Sequence, residues 1–470
     1  MPVCLTITFF LLEFLNFELG FLGKSLITHP FPMKYLHAIA VCLTWISLIS
    51  LQAADWPQWR GPHFNGSSEE TQLPTEWGKD HGIAWSTDLP GSSAATPIIS
   101  GDHVLITSTD DTNQSLLAMC LNRADGSLRW SKTVGIGLQR DNRSNFASPS
   151  PVTDGKLAIF FYGNGELVAF DMEGQKKWGF NLEKRWGEFC FQWTFSSSPL
   201  LYEGTLYMQV LQRNEPVHGR GFTDQPNESY LVAMDPSTGT VKWKITRPSQ
   251  AKMESLEAFT TPMPFTYNGR SEILILGGDD VTGHHPETGE ELWRWGTWNP
   301  TRITHWRLVP SPVAGDGVVL ACAPKKDPIY AVRLGGIGKL SDKALAWVSK
   351  EDRSLSSDVP TPAFAEGDFF ILSDVRGTLS RVDPQSGESK WSIELPGRSK
   401  YEASPTVAGG HIYLMNFAAD VVVVESATGT IKANIPMGSG SDNMTRSSIA
   451  VAHQQLFIRT NKQLHCIGKP

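Results

Sequence analysis

Charge is scarce in this chain. Asp, Glu, Lys and Arg make up only 19% of residues, against 40% hydrophobic ones. A disordered chain needs the opposite balance, so disorder is excluded. There are no heptads of Ala, Glu, Lys and Leu, which excludes a coiled coil. Net charge is −7 and no basic run occurs, so neither a nucleic-acid groove nor an anionic-membrane patch is expected. Beyond residue 53 only Cys120, Cys190, Cys322 and Cys466 remain, with no CxxC, no Cys-Cys pair and no metal-ligand spacing. Buried, unpaired thiols are expected. No GxSxG or HExxH constellation occurs, and Gly277-Gly278 and Gly335-Gly336 precede no helical pattern that could cradle phosphate. His284-His285 resembles a metal pair only superficially, because adjacent side chains on a strand diverge.

Glycine (42), proline (30) and tryptophan (16) are plentiful instead. They fall into a repeat. Each unit opens with Ser/Thr-Pro and a short apolar strand, then a turn glycine and two further strands. A tight turn and a Trp-bearing strand close it. The openings are Thr96-Pro97, Ser150-Pro151, Ser198-Pro199, Thr261-Pro262, Ser311-Pro312, Thr361-Pro362 and Ser404-Pro405, with Ser447-Ser448-Ile449 as an eighth without proline. Their spacing of about 50 residues is that of four-stranded propeller blades.

The tight turns span 122–126, 171–174, 235–239, 285–289, 383–387 and 425–429. Four residues after each closing glycine come Trp130, Trp178, Trp243, Trp293 and Trp391, with Ala433 in the sixth. Trp347 holds the same place after a longer loop, residues 334–343. The eighth unit stops after three strands. Gly82-Ile83-Ala84-Trp85-Ser86, near the N-terminus, has the look of its missing fourth. The expected fold is therefore all-β: one eight-bladed β-propeller of four-stranded antiparallel blades, ring-closed by an N-terminal outer strand, which leaves only short edges. The repeat tryptophans Trp85, Trp130, Trp178, Trp243, Trp293, Trp347 and Trp391 then fill the gaps between blades. Trp56, Trp59, Trp77, Trp186, Trp193, Trp295, Trp298 and Trp306 are left as candidates for other work.

Residues 33–53 have the layout of a secretory signal peptide: Met33-Lys34, an apolar run, and Leu51-Gln52-Ala53 before Ala54. Cleavage after Ala53 is expected, with residues 1–32 an upstream mis-extension. Glu13 and Glu18 interrupt the first apolar stretch, so no stable membrane span is expected after cleavage. Cys42 follows Val41 inside the apolar run, so no lipid attachment is expected. Residues 54–92 form an N-terminal arm with the ring-closing strand, and 93–470 the propeller. A periplasmic or secreted location follows.

These units resemble the pyrroloquinoline-quinone-like (PQQ-like) β-propeller repeat. Asp55-Trp56-Pro57-Gln58-Trp59-Arg60-Gly61-Pro62 is similar to the opening of secreted members from planctomycete-type bacteria, as are residues 150–155, 309–317, 334–338 and 464–468. The resemblance implies one of two roles. Quinoprotein dehydrogenases hold the quinone with calcium in the central funnel. The propeller lipoprotein of the outer-membrane β-barrel assembly machinery has no cofactor and is a scaffold. The vicinal Cys-Cys pair of the dehydrogenases is absent here, no segment matches their calcium cage, and the blades leave room for few insertions. The expectation is a noncatalytic scaffold for a protein or polysaccharide partner, with no catalytic residue, no metal and no cofactor. The alternative is an enzyme using the central funnel, either an oxidoreductase dependent on PQQ with calcium or a polymer-acting hydrolase or lyase.

In such propellers the residues before each Ser/Thr-Pro lie at the funnel mouth. The candidate binding residues are Arg143, Asn145, Gln192, Trp193, Glu257, His305, Trp306, Arg307, Tyr401, Glu402 and Arg446, beside Asn142, Glu188, Glu254, Asp358 and Asn443. Arg143, Arg307 and Arg446 could clamp an anion, and Trp193 and Trp306 could offer stacking faces. Cross-channel Arg–carboxylate pairing would instead make the mouth a neutralised rim.

Overall fold

The backbone around the channel is tied by a relay that explains the Ser/Thr-Pro repeat. In this computed structural model, which describes residues 54–78, 80–350, 352, 354–440 and 442–469, each opening residue donates its N–H to the hydroxyl of the next blade's opening residue. The links run Thr96 to Ser150, Ser150 to Ser198, Ser198 to Thr261, Thr261 to Ser311, Ser311 to Thr361, Thr361 to Ser404 and Ser404 to Ser448, at 2.8–3.2 Å. The prolines that follow have no N–H to satisfy. The eighth link is absent: the buried Thr96 Oγ1 has no partner. Ser447 Oγ donates to Ala95 O there instead, at 2.8 Å.

Eight sheets radiate from this ring, each with four antiparallel strands. Blade 1 comprises Ile98–Ser100, His103–Asp110, Ser115–Asn122 and Leu128–Ile136, and the next six follow the same order. Blade 8 takes Ala450–Ala452, Gln455–Arg459 and Gln463–Ile467 from the C-terminus, and its outer strand is Ile83–Asp88, with Trp85 opposite Cys466. The expected closure is thus present. The middle strands are mostly buried away from their ends, because both sheet faces meet a neighbour; outer strands such as Val241–Thr246 alternate. The four cysteines are free and buried. The leader and its cut lie outside the described residues. Among the described residues no helix is long and apolar enough to cross a membrane.

The repeat tryptophans lock the seams in one way. Each indole lies over the turn glycine of the next blade and donates its Nε1–H to a carbonyl two or three residues before that glycine. Trp85 bonds Arg123 O, Trp130 Met172 O, Trp178 Pro236 O, Trp243 Pro286 O, Trp347 Pro384 O and Trp391 Ser426 O, at 2.7–3.1 Å. Gly174 shows why the turn ends in glycine: φ is +78° and a Cβ would lie 2.7 Å from Trp130 Cγ. The opening Asp helps form the turn; Asp171 Oδ1 accepts the N–H groups of Glu173 and Gln175 at 3.1 and 2.8 Å.

Two seams depart from this rule. Trp293 meets the longer loop of blade 5 and donates to Glu272 Oε2 at 2.5 Å; Arg270 holds the other Glu272 oxygen at 2.6 Å. At Ala433 there is no ring, and Trp77 of the N-terminal arm lies at that seam instead. It is 4% exposed, with its Cβ against Gly82 and its N–H on the Met437 sulfur at 3.1 Å. Trp77, Trp56, Trp295 and Trp298 are therefore core residues.

Residues 55–70 form a strap across the end of the channel away from the mouth. Trp56 pairs with Ile99 of blade 1, Pro57 O accepts Thr153 N of blade 2, and Gln58 bonds Leu201 of blade 3. The strap then crosses to the other side. Asn65 O accepts Phe364 N of blade 6, and Ser67–Ser68 pairs in parallel with blade 7. Arg60, 3% exposed, donates to Pro362 O at 2.8 Å and Pro405 O at 2.9 Å, directly beside the hydroxyl relay. Among the described residues no carboxylate pairs with it. Burial pulls its pKa down to about 9, so it stays a cation at neutral pH.

The relay yields a direct test. Replacing Ser198 by alanine leaves the buried Ser150 N–H without an acceptor and should cost about 1–3 kcal/mol in chemical denaturation. Ser198→Thr, the residue used at Thr261, should recover most of that loss.

Candidate functional site

With the far end strapped shut, the channel is a blind funnel open at one mouth. Its cavity of about 420 Å³ is lined mainly by Arg143, Trp193, Glu254, Arg307, Asp358 and Arg446, with Lys325, Lys400 and Glu402 among its other charged groups. Five cationic side chains thus face three carboxylates, in a chain whose net charge is −7.

Successive inter-blade loops supply this wall and are tied to one another. Asp141 Oδ1 accepts Arg143 N at 2.6 Å, while its Oδ2 takes both Thr194 N and Thr194 Oγ1 from the next loop at 2.5 and 2.6 Å. Arg143 is thereby laid over the Trp193 ring, 5.5 Å from its centroid. The Trp193 indole donates to Glu254 Oε1 at 3.3 Å, and the same oxygen lies 3.7 Å from Arg307 Nε. Ser255 Oγ accepts Trp306 N at 2.7 Å, fixing the following loop. Across the mouth, Arg446 pairs with Glu402 at 2.7 Å and donates to Arg143 O. Lys400 lies 3.8 Å from Glu402. Asp358 is turned inward by two backbone bonds: it accepts Lys325 N at 2.8 Å and donates its own N–H to Asp374 Oδ1 at 2.9 Å.

Neutralisation is partial. Arg446 is committed to Glu402 and Arg307 is loosely held by Glu254. Among the described residues, Arg143 and Lys325 have no carboxylate partner, and both are exposed. Arg143 and Arg446 also border a second hollow of about 190 Å³ lined by Asn142, Asn145, Asn443, Asn461 and several serines. Asn145 donates to Ser92 O at 3.0 Å and so holds its floor.

The structure separates the remaining candidates. Glu257 is fully buried behind the wall, on Arg213 Nε at 2.5 Å and Gln192 N at 3.0 Å; burial pushes its pKa up to about 7. Tyr401 is buried with its hydroxyl on Pro396 O at 2.7 Å. Gln192, His305 and Trp306 do not line the funnel, although Trp306 is only half-buried and His305 is exposed. Glu188 sits away from it, 3.3 Å from Arg220. His284 is buried and bonded to Thr282 and Gly289 at 2.9 Å each, and burial lowers its pKa to about 4. Lys325 and Lys400 were not among the sequence candidates. Lys400 precedes Tyr401 and was readable; Lys325 sits in a blade-5 hairpin, off the Ser/Thr-Pro pattern.

Asp374 beneath Asp358 gives the funnel a pH signature. Burial, then its acidic neighbours Asp358 and Glu402, raise its pKa to about 6. The folded chain therefore keeps this proton to higher pH than the unfolded chain does. The associated stability is full below about pH 4 and lost as pH rises through about 6, on the order of 2–3 kcal/mol. Asp374→Asn keeps the acceptor for Asp358 N and should flatten that part of the stability–pH curve, measured by thermal unfolding.

No curated relative matches the chain. Among solved structures it is similar to BamB from Moraxella catarrhalis (14% identity, TM-score 0.54), covering 82% of this chain and 96% of that one. It is also similar to the quinohemoprotein alcohol dehydrogenase from Comamonas testosteroni (14%, TM-score 0.62; 91% and 82% covered). A europium-containing methanol dehydrogenase gives 12% and a TM-score of 0.62, with 88% and 98% covered. At these identities the likeness shows the fold alone. The family model described as outer membrane protein assembly factor BamB matches residues 72–215 and 333–465, more than half of the chain. By that match the chain belongs to the BamB-type family of PQQ-like propellers.

Proposed function

We propose that this protein is a noncatalytic, extracytoplasmic binding platform whose funnel receives an acidic segment of a protein or polymer partner. One observation carries the reading: an acidic chain gathers five cations against three carboxylates at the mouth of its funnel. Arg143 and Lys325 are the groups free to meet an anion, and the Arg143–Trp193 stack adds a flat face beside the charge. An outer-membrane assembly factor as family namesake supports a location beyond the cytoplasm.

The quinone reading fits the side chains poorly. Among the described residues no three of His, Cys, Asp and Glu converge as a metal cage. Glu254 and Glu402 already hold cations, and the four cysteines are single and buried.

A fluorescent Asp/Glu-rich peptide should bind in a salt-dependent way, weakening between about 50 and 300 mM salt. Arg143→Ala with Lys325→Ala should weaken it about tenfold or more. Equal binding of a neutral control peptide would sink the proposal. So would a tightly bound chromophore with dye-linked alcohol oxidation on adding PQQ and Ca²⁺.

A further inference from the structure

Glu70 is a buried carboxylate in search of a charge. It is 6% exposed. Its Oε1 accepts Ala54 N at 2.5 Å and its Oε2 accepts Gln454 N at 3.0 Å. Among the described residues no lysine, arginine or histidine forms an ion pair with it. In the uncut chain both donors are neutral peptide N–H groups, a poor environment for a buried anion. The neighbouring titratable groups offer no substitute. Asp55 and His453 are paired with each other at 2.9 Å, and His411 is bonded to Gly409 O at 2.8 Å.

We infer that Glu70 is a built receptor for an α-ammonium group at Ala54, created by cleavage of the Ala53–Ala54 bond. In that step an endopeptidase of the signal-peptidase class catalyses hydrolysis. Water gives its OH to the Ala53 carbonyl carbon and a hydrogen to the Ala54 nitrogen, which takes a further proton at neutral pH. The neutral donor 2.5 Å from Oε1 becomes a cation with no movement of the backbone, and the buried carboxylate gains its counter-charge.

The position gives the ion pair a purpose. Ala54 immediately precedes the strap and Glu70 ends it, so the pair closes the strap into a loop. It does so at the seam of blades 8 and 1, where the hydroxyl relay is broken and Asp55 bridges His453 to Ser100 and Gly101. Processing would set the plug of the channel and the closure of the ring together, whatever the funnel binds.

The test uses the exported protein. Intact mass should give Ala54 as the first residue; any other residue overturns the inference. An ordinary α-amine, with a pKa near 8, acylates readily near neutral pH. Paired with Glu70, it should react with an N-hydroxysuccinimide ester at least tenfold more slowly than in Glu70→Gln, which keeps a neutral acceptor. Equal rates would refute the ion pair. Thermal unfolding supplies a second readout should that variant fold poorly. A chain starting at Ala54 should lose stability as pH rises above about 8, because the ammonium's folded pKa is raised. A chain extended by one residue before Ala54 should lack that loss, and identical profiles for the two chains would also refute it.

Discussion

The bond from one blade's opening N–H to the next blade's opening hydroxyl is the contact on which the rest of the molecule depends. It satisfies the innermost backbone, which has no strand beyond it to pair with. It also fixes the residue type: the acceptor must be a short hydroxyl, and the next residue does well to lack a donor. That explains Ser/Thr-Pro at seven of the eight openings. Where the eighth link fails, other devices collect. Ser447 bonds Ala95 O, Arg459 donates to Thr107 O at 2.5 Å, and Asp55 spans the gap. The blade completed by strands from both halves of the sequence thus meets blade 1 through side-chain bonds rather than through the relay.

Outward from the relay, the seams use one indole and one glycine each. This pairing was readable because both partners sit at fixed offsets within the repeat. What could not be read was compensation by residues from elsewhere. Trp77 fills the seam at Ala433 from more than 350 positions away. Glu272 accepts from Trp293 where the turn carbonyl is missing. Neither acceptor lies on the repeat pattern: the Trp77 contact exists only in the closed ring, and the Glu272 contact only within the folded sheet of blade 4. The same holds for Arg60. The Asp55-to-Pro62 stretch was legible as a resemblance, but nothing local says that its arginine bonds two inner strands on the far side of the channel.

The funnel shows the same division. Most of the charged lining residues precede Ser/Thr-Pro and were found from that position alone. Glu257 and Tyr401 share the position yet face inward, because a loop has two sides and the periodicity of a loop does not say which is wet. The pairing of Arg446 with Glu402 and the release of Arg143 likewise depend on side-chain reach between neighbouring loops.

The hydroxyl relay also decides where this fold can vary. Channel-facing backbone is consumed by the relay, and the far end is filled by Arg60, whose guanidinium rests on carbonyls that no substitution can change. The seams are consumed by indoles. The loops that lead into each Ser/Thr-Pro carry none of these bonds, so they can change in length and charge without cost to the ring. That accounts for BamB and alcohol and methanol dehydrogenases sharing the blades with this chain at only 12–14% identity. In this chain those loops are bound to one another by Asp141, Ser255 and Asn145. They therefore hold a preformed mouth. An acidic ligand of the kind proposed would meet the unpaired Arg143 and Lys325 at that mouth, where no carboxylate among the described residues cancels them.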